Sequence, residues 1–171
     1  MSQHTPHGSS YDVVIVGAGI AGSAFAHALS ASALSSRAAS LRIALLERSL
    51  AKPDRVVGEL LKPGCVVSLR SLSLGSCLDD IDAVPVHGYA LLNTGEIVLT
   101  PYPSGARGRS FQHSCFVQNL RAHAKAASGV DVIEATAINL IECPLTRRVI
   151  GVNTRREGEE RKEARRTCRC R

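Results

Sequence analysis

Two kinds of hydrophobic spacing alternate along this chain. Val13 to Val16 is an unbroken β-branched run, which predicts a parallel strand buried on both faces. From about Ile20 to Ser30 the apolar positions fall at helical spacing, with Ala21, Ala24, Phe25, Ala28 and Leu29 as the face that packs on a sheet. Residues 31–40 are rich in Ser and Ala and read as a loop insertion or a frayed helix end before a second apolar strand, Leu41 to Leu46. Residues 52–64 mix extended and turn signals. A short helix over Cys65 to Leu74 follows and ends at Gly75. Val84 to Leu92 and Glu96 to Thr100 read as strands joined by a hairpin-like turn at Asn93-Thr94-Gly95, and residues 104–110 as a loop. Cys115 to Ala127 is helical, with Phe116, Leu120, Ala124 and Ala127 on one face. Val130 to Glu134, Ala137 to Glu142 and Arg148 to Thr154 read as strands, the later ones forming a small antiparallel addition.

Strand, helix, strand is the frame in which one motif gains meaning. Gly17-Ala18-Gly19-Ile20-Ala21-Gly22 joins the first strand to the first helix. A glycine turn leaves no side chain between a diphosphate and backbone N–H groups, and the helix N-terminus adds partial positive charge at the same point. Glu47 closes the second strand, 25 residues after Gly22, where a carboxylate is placed to accept hydrogen bonds from a ribose diol. The slightly long spacing is accounted for by the Ser/Ala insertion. The pattern therefore predicts a dinucleotide site on an α/β, Rossmann-like fold.

Composition narrows the picture more than it extends it. The chain has 171 residues, 44% of them hydrophobic, enough for a core of one domain. Its formal charge of +6 is concentrated in residues 155–171, which supply eight Arg/Lys against four Glu. With three Phe, three Tyr and no Trp scattered along the chain, no basic patch with interleaved aromatics is present, and no nucleic-acid partner is expected. Six cysteines without a C-x-x-C pair read as reduced thiols, and no metal is expected, Cys168-x-Cys170 being a faint metal or redox signal. No apolar run reaches the length of a membrane span, and the polar residues 1–10 read as a disordered leader rather than a signal peptide.

Glu47-Arg48, Pro53-Asp54-Arg55, Gly58-Glu59-Leu60 and Pro63-Gly64 follow the glycine turn in order. Further along stand His87-Gly88-Tyr89, Pro101-Tyr102-Pro103, Gly108-Arg109-Ser110-Phe111, His113 and Phe116. In this combination, from about Tyr11 to Val152, the chain resembles squalene epoxidase (squalene monooxygenase). The resemblance implies an incomplete FAD-binding domain of the flavin monooxygenase type over residues 11–154; the basic tail over 155–171 reads, from its charge, as disorder or a solvated helix. The resemblance also implies FAD as cofactor, squalene or a related lipid as substrate, an NADPH-dependent reductase as electron donor, and an endoplasmic reticulum membrane setting. For this chain alone a soluble or peripheral state is expected. The oxidising chemistry would belong to the flavin, with no protein nucleophile.

Carried over position by position, Gly17, Ala18, Gly19, Ile20, Ala21 and Gly22 would face the FAD pyrophosphate and Glu47 the adenosine ribose. Arg48 and Arg55 resemble cofactor-contacting residues, and Leu60 one near the flavin end. For Arg55 the alternative is a surface ion pair with Asp54 or Glu59, worth only about 0–1 kcal/mol. Tyr89 resembles a tyrosine beside the flavin and substrate cavity; the alternative is an aromatic filling the core. Two departures stand out. His113-Ser114-Cys115-Phe116 replaces the family's His-Gly-Arg-Phe, putting Cys115 where a cofactor-contacting Arg is typical. The family's later flavin motif, substrate domain and membrane helices are absent from the sequence, so an N-terminal fragment is expected, its last residues read as out-of-frame or intron-derived. A non-catalytic nucleotide-binding remnant is the alternative to an active epoxidase. A related hydroxylase of aromatic or polyketide substrates is a third reading, opposed by the Pro-Asp-Arg-x-Val-Gly-Glu-Leu match.

Overall fold

The computed structural model describes residues 9–36, 41–54, 58–156 and 162–166. In chain order its elements are β1 (Ser9–Tyr11), β2 (Val13–Val16), α1 (Ile20–Ser35), β3 (Ile43–Glu47), β4 (Gly58–Leu61), α2 (Pro63–Ser71), β5 (Val84–Val86), β6 (Gly88–Asn93), β7 (Glu96–Pro101), β8 (Gly108–Gln112), α3 (His113–Ala126), β9 (Val130–Glu134), β10 (Thr136–Glu142), β11 (Val149–Arg155) and β12 (Lys162–Arg166). Short 3₁₀ turns occupy Gly75–Leu78 and Pro103–Gly105. The chain divides into two compact units, residues 1–51 with 121–171, and residues 52–120.

The first unit is organised by β3. It lies at the centre of a parallel sheet in the order β2-β3-β9, with Ile43, Ala44, Leu45 and Leu46 all buried. Side chains alternate across a strand, so the four residues serve two cores. Ile43 and Leu45 join Ala18, Ala26, Ala124 and Val130 on the helical side. Ala44 and Leu46 join Tyr11 and Val152 on the other, where the antiparallel strands pack. Those strands form a second sheet in the order β1-β12-β11-β10. The predicted Rossmann-like layer with an antiparallel addition is thus the observed one.

Several expectations are corrected. β2 is half-buried rather than buried on both faces, and Val16 is 60% exposed, because among the described residues β2 pairs with β3 alone and forms the sheet's edge. α1 continues to Ser35, five residues past the expected end. Ala favours helix, and the serines turn their hydroxyls onto carbonyls of the preceding turn, Ser35 Oγ on Ala31 O at 2.9 Å and Ser36 Oγ on Ala33 O at 3.1 Å. The buried stripe of α1 is Ser23, Ala26, Ser30 and Ala33, while Ala21 and Phe25 are exposed. Polarity misled here: Ser30 is small and its Oγ donates to Ser128 O at 2.7 Å, so burial leaves it satisfied. In the tail, where disorder or a solvated helix is expected, Lys162–Arg166 is a strand between β1 and β11, and the expected leader gives Ser9 and Ser10 to β1. The remainder of the leader lies outside the described residues.

The second unit contains a three-stranded antiparallel sheet, β4-β8-β5, and the β6-β7 hairpin. β8 falls where a loop is expected, since Gly108-Arg109-Ser110-Phe111-Gln112 shows no clean alternation, and only Gly108 and Phe111 are buried within it. Phe111 meets Phe116 edge to face, with ring centroids 4.9 Å apart, and Val66, Leu69, Leu74, Cys77 and Ile81 of the same unit are buried as well. The hairpin turn has positive φ at both Thr94 (44°) and Gly95 (95°), as a primed turn requires. Among the described residues no helix is long and apolar enough to cross a membrane.

Burial, reinforced by the charge of Asp79, pushes the Cys77 thiol up to about 11 from an ordinary 9.0. A raised folded-state pKa favours the protonated thiol, a preference present in full below pH 9 and lost as the pH rises through 11. Cys65 is exposed. Iodoacetamide at pH 8, followed by peptide mass mapping, is expected to label Cys65 at least about tenfold faster than Cys77. Equal rates would show that the second core is not closed.

Candidate functional site

The turn between β2 and α1 divides its demands among three glycines. Gly17 sits at φ +103°, a conformation that L side chains rarely adopt, and its N–H donates to Leu46 O at 2.7 Å, tying the turn to β3. Gly22 lies in the first turn of α1, where an added Cβ would run into Gly17 O, so the helix packs directly on the turn. Gly19 answers to neither demand. Its backbone (φ −80°, ψ −162°) suits any residue, and a Cβ there would meet nothing within 4 Å. The protein itself does not need glycine at 19; open space stands in front of it.

Gly19 is also the N-cap of α1. No side chain caps this helix, and no acidic residue lies in its first turn. A 16-residue helix therefore presents uncapped N–H groups of Ile20, Ala21 and Gly22 beside that open space. Such an end attracts an anion.

Glu47, at the end of β3, folds back on the turn. Its Oε2 accepts the Ala18 N–H at 2.8 Å and its Oε1 the Arg48 N–H at 2.9 Å. Arg121 Nη2 lies 3.5 Å from Oε2. Arg121 was not singled out by the sequence reasoning, yet it is the best-connected side chain of the site. It is 8% exposed, and it donates through Nε to Ala18 O at 2.7 Å and through Nη1 to Ala51 O at 3.2 Å. One guanidinium thus joins α3, the glycine turn and the segment after β3. A signal was present: Arg121 stands four residues after Val117 and three before Ala124, both buried, so helical spacing alone puts it on the inner face.

Arg48 is exposed and lines a cleft of about 650 Å³ at the ends of β3 and β9, with Glu134, Thr136, Arg155 and Arg156. Gly17, Ala18, Gly19, Ile20, Ala21, Gly22, Glu47 and Arg48 therefore come together in one unit. Arg55 lies outside the described residues. Leu60, on β4, and Tyr89, on β6, belong to the second unit, and Tyr89 is 41% exposed there rather than filling its core. In that unit Glu59 Oε2 also meets His113 Nδ1 at 2.9 Å. Cys115 donates its thiol hydrogen to Gln112 Oε1 at 3.1 Å. Among the described residues no group of His, Cys, Asp and Glu is placed to hold a metal ion.

Comparison with known proteins adds the family. No protein-family model matches the chain. It is 44% identical over 150 residues to a squalene epoxidase of Aspergillus fumigatus, covering 82% of this chain and 29% of that one. With a squalene epoxidase of Gibberella zeae it shares 37% over 170 residues, 87% of this chain and 33% of the other. With squalene epoxidase 3 of Arabidopsis thaliana it shares 41% over 140 residues, 79% and 25%. The chain thus spans a quarter to a third of the length of these curated relatives. Among solved structures, the flavin-dependent brominase Bmp2 superposes with a TM-score of 0.75 at 19% identity, over 92% of this chain and 36% of that one. A probable FAD-dependent monooxygenase from Pseudomonas aeruginosa does so with a TM-score of 0.67 at 16% identity, over 85% and 38%. The fold is therefore that of these flavoenzymes.

Replacing Arg121 with Met keeps the bulk of the side chain and removes the charge that holds Glu47, Ala18 and Ala51. The expected loss is about 3–5 kcal/mol of folding stability, because the carbonyls and the carboxylate lose a buried partner together. Urea denaturation measures it, and a loss below about 1 kcal/mol would mean that the turn is held by its backbone alone.

Proposed function

This chain is a relative of the squalene epoxidases, matched over about four fifths of its own length, and from that kinship we propose that it carries the FAD-binding part of such an enzyme. The single observation that carries the reading is the division of labour in the glycine turn. Gly17 serves the backbone, Gly22 serves packing, and Gly19 opens onto the uncapped N-terminus of α1. A diphosphate fits that place: it requires backbone approach without a Cβ and gains from the helix dipole. In this reading Gly17 to Gly22 cradle the FAD diphosphate and Glu47 takes the adenosine ribose. Glu47 Oε1 accepts a hydrogen bond from the Arg48 N–H, and a carboxylate oxygen accepts about two. Arg48 and Arg55 contact the cofactor, Leu60 lies near its flavin end, and Tyr89 faces the substrate cavity.

Bound FAD would supply the activation of O₂, and the protein's residues would hold it, orient it and keep water from it. The whole reaction is the epoxidation of squalene to 2,3-oxidosqualene in sterol biosynthesis, one oxygen atom going to the terminal alkene and the other leaving as water. Its two electrons come from NADPH through a reductase partner at the endoplasmic reticulum membrane. A second reading, a chain that holds nucleotide without turnover, is favoured by Cys115. A thiol bonded to Gln112 stands where the resemblance places an arginine for the cofactor. Loss of one charge-assisted contact weakens binding by about 1.5–3 kcal/mol.

The test is to purify the chain with FAD and read flavin absorbance across gel filtration. Gly19→Ala is expected to leave the thermal midpoint unchanged and to weaken FAD affinity about tenfold or more, whereas Gly22→Ala lowers the midpoint itself. Glu47→Ala is expected to weaken FAD affinity as well. An unaltered affinity in Gly19→Ala would remove the diphosphate assignment, and in Glu47→Ala the ribose assignment. Reductase, NADPH, O₂ and squalene then separate the two readings: bound flavin without 2,3-oxidosqualene favours the non-catalytic one.

A further inference from the structure

The base of the β6-β7 hairpin holds a second tyrosine that no resemblance assigns a role. Tyr102 sits between Pro101 and Pro103 with φ −66° and ψ 144°. Pro103 disfavours helical geometry at the residue before it, so this backbone is set by the sequence. The Tyr102 N–H donates to His87 O at 2.8 Å, closing the hairpin directly behind Tyr89. The two rings meet edge to face, with centroids 5.5 Å apart and planes at 78°.

The other side of Tyr102 leads to Leu60. A Cβ added at Gly108 would stand 3.4 Å from Tyr102 Cε2, 3.4 Å from Leu60 Cδ1 and 2.6 Å from Leu61 O. The Tyr102 ring and the Leu60 side chain therefore converge over a position kept bare by glycine. The Tyr102 hydroxyl oxygen is buried and lacks a well-formed hydrogen bond. Interaction with the Tyr89 hydroxyl is the main cause that pushes the Tyr102 phenol above its ordinary 10.0, with burial and the Tyr89 charge adding to it.

We infer that Tyr102 is a positioning residue: it fixes the ring and hydroxyl of Tyr89 relative to Leu60, seated over Gly108 and locked by the Pro-Tyr-Pro backbone. Tyr89 alone projects from a two-stranded hairpin that exposes most of its side chains, and it needs a neighbour to hold one orientation. Edge-to-face contact with Tyr102 supplies that neighbour. The functional meaning of the arrangement rests on the proposed role of Tyr89 in the substrate cavity; the arrangement itself does not.

The chain suits a direct test, because it has three tyrosines and no tryptophan. Tyr11, packed under Arg42 at 5.0 Å in the other unit, serves as an internal reference for folding. With ring-labelled tyrosine, the Tyr89 NMR signals are expected to stay shifted in Tyr102→Phe and to collapse to solvent-averaged positions in Tyr102→Leu and Gly108→Ala, with Tyr11 unmoved. In a phenolate absorbance titration, Tyr89→Phe is expected to bring the Tyr102 ionisation down toward 10.0. Tyr89 signals identical in Tyr102→Leu and the parent chain would overturn the inference. Where Tyr102→Leu does not fold, a Tyr102 ionisation unmoved by Tyr89→Phe would overturn it instead. Squalene in detergent micelles separates the two layers of the argument. If squalene leaves the Tyr89 signals untouched while Tyr102→Leu moves them, the positioning stands and the substrate-cavity assignment falls.

Discussion

A buried guanidinium has to be answered, and the way Arg121 is answered determines the geometry of the glycine turn. Removed from water, it takes the Ala18 carbonyl, the Ala51 carbonyl and the Glu47 carboxylate as partners. Each lies on a different stretch of chain, so one charge fixes three backbone positions at once. Glu47 in turn accepts the Ala18 N–H, so the two peptide groups flanking the Ala18 Cα are each held, one through its N–H and the other through its carbonyl. A carboxylate held this way is oriented before any ligand arrives, and preorganisation of this kind spares binding the cost of ordering the site.

The glycine turn shows how one motif can carry three unrelated constraints. Backbone conformation explains Gly17, steric closeness of helix and strand explains Gly22, and neither explains Gly19. A residue type that the protein's own folding leaves unexplained points outward, toward something that approaches the backbone. In the function proposed above, that something is the FAD diphosphate.

Much of this was legible in the residues because the relevant physics is local. A β-branched run, a glycine turn, a helix and a carboxylate at the next strand end each declare themselves within a few positions, and β9 was read to the residue. What stayed hidden depends on partners distant in sequence. β8 is a strand because β4 and β5 flank it, not because Gly108 to Gln112 alternates. Ser23 and Ser30 share the buried stripe of α1 with Ala26 and Ala33, a placement their polarity does not announce. Arg121 draws no attention in the sequence because its partners lie 70 to 103 residues away. β2 was misjudged for the converse reason, its composition suiting a cover that the described strands provide on one side only.

The topology also sets an order of events during synthesis. The strand β3, with four consecutive buried residues, finds β2 beside it early, but its other neighbour, β9, begins at Val130. Between them in the sequence lies the second unit, residues 52–120, whose strands, among the described residues, pair only with one another. On a ribosome, that inserted unit can close while β3 still lacks a partner along one edge. Long-range parallel pairing is slow and leaves apolar strands uncovered in the interval. The glycine turn, which hangs from the end of β3 and is held by Arg121 from beyond the insertion, therefore cannot be completed until the inserted unit has been synthesised.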